Sequence, residues 1–150
     1  MRFLVDTNIA IDHMMDREPF SQSASKLITL GFLHEFELGM SSSQITDAFY
    51  LLTGGRSSLA DEAKQKLRTL RGALRVYSLT EADVDAALDS AWDDFEDACV
   101  YQCARKIKAD AIITRNQKDF ARSSIRVFDC DELFAYLEKE KGLVYDFIPL

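Results

Sequence analysis

The stretch Arg2-Phe3-Leu4-Val5-Asp6-Thr7-Asn8 decides how the chain is read. An apolar run ends on a carboxylate, and two small polar residues follow. A short apolar run bounded by polar residues reads as a buried strand. Asp6 then stands where that strand leaves its sheet. Open parallel sheets bind ligands beyond the carboxyl ends of their strands. Other acids that follow apolar strands are therefore expected to gather around Asp6.

Working outward, Thr7–Met15 carries helical spacing, and Asp16-Arg17-Glu18-Pro19 breaks it. A second helix starts near Pro19 and runs through Phe20, Ala24, Leu27 and Ile28 toward Gly31. Phe36–Met40 is a second strand, the serines 41–43 offer helix caps, and a helix runs from Ile45 to Gly54-Gly55. Another helix, begun by Ser57 or Ser58, runs toward Leu70. Leu74–Leu79 is a third strand, and Thr80 with Asp83 forms a loose capping box for the next helix. Asp93-Asp94-Phe95-Glu96-Asp97 opens a further helix. Ala111–Ile113 and Ile125–Phe128 are strands four and five, and Asp129 or Asp131 caps a last helix. The tail Gly142–Leu150 is apolar and expected to dock on the rest. Alternating strands and helices predict an α/β fold, a three-layer sandwich around a central, mostly parallel five-stranded sheet.

The chain has 150 residues, enough for a single domain over 1–150 with one sizeable core. No apolar run approaches the roughly 20 residues that cross a bilayer, and the N-terminus enters a strand without a leader pattern. A cytoplasmic protein with no membrane association is the expectation. Of the three cysteines, Cys99 and Cys103 share a helix face, but no further His or Cys pair completes a zinc site. They are expected to be core thiols. The net charge of −7 argues against nucleic-acid binding, whose surfaces are basic. Two circumstances lift the objection: acids that neutralise bound cations, or a basic partner that covers part of the surface.

Asp6 ends strand one, Asp47 lies in the first turns of the helix after strand two, and Asn116 and Asp119 follow strand four. Asp94 and Asp97 open a helix that runs antiparallel to strand four, so its start lies at the same edge. Like charges about 4 Å apart repel by several kcal/mol in a cleft of intermediate dielectric. Such a group must take up protons or cations. Oxygen ligands without His or Cys select magnesium or manganese, which suits phosphodiester hydrolysis. Each residue also has a plainer role: Asp6 and Asp94 as helix caps, Asp47 as a solvated helix acid, Asn116 and Asp119 as turn formers.

Asp6-Thr7-Asn8, Arg17-Glu18-Pro19-Phe20, Asp47 with Phe49-Tyr50, Asp94-Phe95-Glu96-Asp97-Ala98 and Thr114-Arg115-Asn116-x-x-Asp119-Phe120 together resemble the PIN-domain family. They are most similar to its bacterial VapC-like branch. The resemblance implies a metal-dependent ribonuclease fold with a parallel sheet of five strands and three or four acids holding Mg²⁺ or Mn²⁺. It implies Asp6, Asp47, Asp97 and Asp119 as catalytic residues. Metal would be held by Asp6 and Asp97, with Asp94, Asp119 and Asn116 as further ligand positions. Asn8 and Thr114 would orient the ligands. Arg17, Arg56, Arg115 and Lys118 are candidates to meet RNA phosphates. Two positions depart from the family pattern: Asp47 stands where many members have glutamate, and Asn116 where many have aspartate.

The resemblance further implies a toxin of a toxin–antitoxin pair. Its partner would be a small antitoxin whose basic side chain fills the acidic cleft, and a homodimer is expected. A non-catalytic PIN-like module that binds RNA or protein is the alternative, with Asp47 and Asn116 as its signature. A haloacid-dehalogenase-type phosphotransferase would need a second acid where Asn8 stands, and a receiver domain an acid where strand three ends in Ser78-Leu79.

Overall fold

The computed structural model describes residues 1–146, and five short strands in it form one parallel sheet. The strands are β1 (Arg2–Val5), β2 (Glu37–Ser41), β3 (Leu74–Tyr77), β4 (Ala111–Ile113) and β5 (Arg126–Phe128), in the order β3-β2-β1-β4-β5. β1 pairs on both sides: Leu4 lies opposite Gly39 of β2 and Ile112 of β4. Every pairing is parallel, where the sequence predicts a mostly parallel sheet.

The helices are α1 (Thr7–Met14), α2 (Ser21–Phe32), α3 (Ser42–Thr53), α4 (Ala60–Leu70), α5 (Glu81–Leu88), α6 (Phe95–Lys106) and α7 (Cys130–Lys141). They cover both faces of the sheet. Phe3 and Val5 face Ile9, Leu27, Ile28 and Leu133, whereas Leu4 faces Val100, Ile107 and Phe120. β1 is thus buried on both faces, which explains its unbroken apolar run. The result is the expected three-layer sandwich. The chain lays β2 and β3 on one side of β1 and returns to lay β4 on the other. Asp6 therefore stands at the switch in strand order.

The boundaries differ from the sequence reading where a polar side chain decides them. β2 extends to Ser41 and α3 starts at Ser42 rather than Ile45. Ser41 is at once the last strand residue and the helix cap, closing a capping box with Gln44. Gln44 is fully buried, and its amide donates to the Val5 carbonyl at 2.9 Å, tying α3 to the end of β1. β3 stops at Tyr77 rather than Leu79, because the Leu79 N–H turns to the Ser42 hydroxyl. Ser57–Leu59 forms a short 3-10 turn before α4. Asp129, not Asp131, caps α7, with Glu132 completing the box.

Cys99, Cys103 and Cys130 are buried free thiols, and burial pushes Cys103 up to about 11 and Cys130 up to about 12. They are core residues, as expected. Of the apolar tail, Leu143 packs on the core and the Tyr145 ring lies 5.3 Å from that of Phe36. Residues 147–150 of that predicted docking segment lie outside the described residues. No helix among the described residues is long and apolar enough to cross a membrane.

Gly31 shows how closely α2 approaches the sheet. A Cβ there would sit 2.5 Å from the Ala73 carbonyl oxygen and 2.6 Å from Leu38 Cδ1. Gly31→Ala would gain about 1 kcal/mol of helix propensity on an exposed surface. Here the backbone contact reverses the sign, and a net loss of about 1–3 kcal/mol is expected in urea unfolding.

Candidate active site

Asp6 is held by the two segments its strand joins. One carboxylate oxygen, Oδ1, accepts the Thr7 N–H at 2.8 Å and so caps α1. The other, Oδ2, accepts the Thr114 hydroxyl at 2.7 Å from the end of β4. Asp6 is thus a helix cap and a member of the acid group together. Burial pushes its carboxyl above the ordinary range, against the pull of the Thr114 and Thr7 hydrogen bonds. The charge of Asp119 pushes the same way, and that of Arg115 opposes it.

The other acids arrive from separate segments. The Asp97 carboxyl is pushed up to about 7, first by burial and then by Asp94, Asp6, Asp119 and Glu96. Its place at the start of α6 follows from Asp94, whose Oδ1 accepts the Asp97 N–H at 2.9 Å. Asp94 therefore serves as the N-cap of α6 and repels Asp97 from there. Asp119 sits in the 3-10 turn Gln117–Phe120, anchored by buried Phe120.

Glu96 is a residue the sequence reading passed over. Burial pushes it up to about 7, followed by the charge of Asp47 and a hydrogen bond shared with it, then Asp94 and Asp6. Nothing local to its segment marks it, because it meets Asp47 only where α3 and α6 start at the same edge. Asp6, Asp47, Glu96, Asp97 and Asp119 thus gather at one sheet edge. Among the described residues, however, no three His, Cys, Asp or Glu side chains converge closely enough to hold an ion as they stand. Wider clefts, such as one of about 440 Å³ lined by Gly31, Arg71 and Leu74, lie by the start of β3, away from these acids.

Polar residues lock the edge. Asn8 Nδ2 donates to Thr114 Oγ1 at 3.2 Å, and Asn8 Oδ1 accepts the Arg115 N–H at 3.3 Å. Thr114 is fully buried and also accepts the Asn116 N–H at 3.0 Å. Arg115 is read from sequence as a contact for RNA, but its guanidinium is committed inward. Nε and Nη2 grip Asp12 at 2.5 and 3.1 Å, and the group lies 4.1 Å from the Phe20 ring centroid. Asp12 is completely buried. It lies four residues after Asn8 and so shares its helix face, a spacing visible in the sequence.

The remaining candidates stand apart. Asn116 is exposed, and only its backbone N–H joins the network. Arg17 is exposed in the loop after α1 and rests beside Met15.

A parallel α/β sandwich with carboxylates drawn from four segments to one edge is the class of protein these features define. The chain belongs to the PIN-domain family, whose sequence pattern matches residues 2–118. No curated protein matches the sequence. Solved structures with the same fold include VapBC2 from Rickettsia felis, bound to a DNA fragment from its promoter. That match has a TM-score of 0.65 at 14% identity and covers 86% of this chain and 98% of that one. VapC20 of Mycobacterium tuberculosis, described as a sarcin-ricin loop cleaving toxin, has a TM-score of 0.57 at 16% identity, covering 73% of this chain and 86% of that one. A toxin–antitoxin complex from Klebsiella pneumoniae has a TM-score of 0.56 at 21% identity, covering 79% and 89% respectively.

Glu96 and Asp97 bind protons more tightly folded than unfolded. Between about pH 4 and pH 7 the folded chain keeps protons that the unfolded chain has released. Stability without divalent cations should therefore fall as pH rises through that window. Asp97→Asn removes part of the strain: in EDTA it should stabilise the chain at pH 8 by on the order of 1 kcal/mol, the effect being screened by solvent, and little at pH 4. Thermal melts at both values check this. Arg115→Ala leaves Asp12 buried without its partner and should cost about 3–5 kcal/mol in chemical unfolding.

Proposed function

We propose that this PIN-domain protein is a divalent-cation-dependent endoribonuclease and the toxin of a toxin–antitoxin pair. The observation that carries the reading is the crowding of Asp6, Asp97 and Glu96, with proton affinities raised by burial and by the charges of neighbouring acids. Glu96 and Asp97, pushed up to about 7, hold protons near neutrality that they can exchange for a cation. The donor set is all oxygen, which fits Mg²⁺ or Mn²⁺ rather than zinc. Such an ion, when bound, supplies an activated water and stabilises the leaving oxygen of a phosphodiester.

The chain's own residues have distinct parts in this reading. Asp6 and Asp97 would hold the cation from the end of β1 and the start of α6, with Asp119 beside them on the turn after β4. Asp47 and Glu96 add a carboxyl pair at the rim, so the shorter second acid is compensated. The Thr114 hydroxyl fixes the orientation of Asp6, and Asn8 fixes Thr114. Asn116, a neutral amide, is a weaker candidate ligand than Asp119.

An antitoxin with a basic segment suits both the acidic edge and the net charge of −7. Tyr50 and Leu51 on α3 and Phe95 at the start of α6 leave apolar surface exposed beside Asp47 and Glu96 for a partner to cover. The structural neighbours include a toxin–antitoxin complex and a sarcin-ricin loop cleaving toxin, which supports the same assignment.

Purified protein assayed on structured RNAs should cleave them with Mn²⁺ and not in EDTA, and Asp6→Asn should abolish cleavage. Thr114→Ala should weaken Mn²⁺ binding by about 10–100-fold, read by calorimetry. Cleavage that survives both EDTA and Asp6→Asn would place the activity elsewhere, and no cleavage with any metal would favour a binding module.

A further inference from the structure

The acids do not exhaust their own surroundings. A cavity of about 220 Å³ opens beside Asp97 and Asp119, lined also by Trp92, Asp93, Asp94, Lys118 and Arg122. Lys118 and Arg122 flank Asp119 in sequence and are exposed. Among the described residues neither forms an ion pair. Asp94, which shares the lining, is engaged in capping α6. Trp92 is half-buried and fixed: its ring stacks on Tyr101 at 4.7 Å and meets Phe120 edge-on at 5.6 Å.

A rigid aromatic surface with two free cations is the combination by which proteins hold unpaired nucleic acid, one stacking a base and the other meeting its phosphates. Its position against Asp97 and Asp119 ties it to the acid centre. The cavity is smaller than a typical drug-sized pocket of about 300–1,000 Å³, which suits one nucleotide unit rather than a folded ligand. A base within a duplex has no free face to stack, so the segment bound here is single-stranded.

We propose that this cavity is the subsite for the ribonucleotide next to the scissile phosphate, with its base on Trp92 and its neighbouring phosphate between Lys118 and Arg122. The assignment rests on the endoribonuclease reading.

Trp92 is the chain's only tryptophan, so its fluorescence reports on the cavity directly. Asp6→Asn protein with Mn²⁺ is titrated with a short unpaired oligoribonucleotide, with the duplex of the same sequence as control. Saturable quenching by the single strand and none by the duplex is expected. With a labelled oligonucleotide read by anisotropy, Trp92→Phe should bind nearly as well and Trp92→Leu about 10-fold more weakly. Lys118→Ala with Arg122→Ala should lower the slope of log affinity against log salt by about 1.4. Binding without quenching, and unmoved by these variants, overturns the subsite, as does tighter binding of the deoxyribonucleotide. Normal RNA cleavage by the Trp92→Leu, Lys118→Ala, Arg122→Ala protein also overturns it and leaves the nuclease reading intact. Quenching in a protein that never cleaves RNA does the opposite: it retains a nucleotide site and removes the nuclease.

Discussion

The buried carboxylate of Asp6 is the constraint on which the rest depends. It ends the central strand, where the sheet pairs on both sides, and its two oxygens are bound by Thr7 and Thr114. Those hydrogen bonds stabilise the charged form, while burial and Asp119 oppose it. The position therefore holds the carboxyl in a fixed direction. Every other acid at the edge is placed against it. α6 brings Asp97 and Glu96, α3 brings Asp47, and the turn after β4 brings Asp119.

The supporting network is as specific as the acids. A chain of hydrogen bonds runs from Asp6 through Thr114 and Asn8 to the backbone of Arg115, and Asn8 Nδ2 also donates to Asp6 Oδ2 at 3.4 Å. The Arg115 side chain then locks the same loop to α1 through buried Asp12. A buried ion pair of this kind is weak evidence for net stability, since desolvation offsets much of the attraction. Its effect here is positional. It fixes the loop carrying Asn116 and Asp119 relative to the helix that Asp6 caps.

Much of this was legible in the sequence, for identifiable reasons. Strands buried on both faces read as apolar runs, so β1 and β4 and the acids after them could be placed by topology alone. The capping signals at Ser41, Thr80, Asp94 and Asp129 are local, and the structure realises each of them. What escaped depends on where side chains point after packing. Glu96 meets Asp47 only once the starts of α3 and α6 come to the same edge, and nothing local to either segment shows it. Arg115 looks like a surface cation until Asp12, 103 residues away, is found beneath it. Trp92 reads as one more aromatic residue until Lys118 and Arg122 are brought around its cavity.

The central claim is that this edge is one cation-binding centre built on Asp6 and Asp97. Anomalous diffraction from crystals soaked in Mn²⁺ tests it most directly. The account predicts a manganese peak bonded to carboxylate oxygens of both Asp6 and Asp97, and its loss in Asp6→Asn crystals. Manganese bound elsewhere on the chain, with no peak between Asp6 and Asp97, would contradict it.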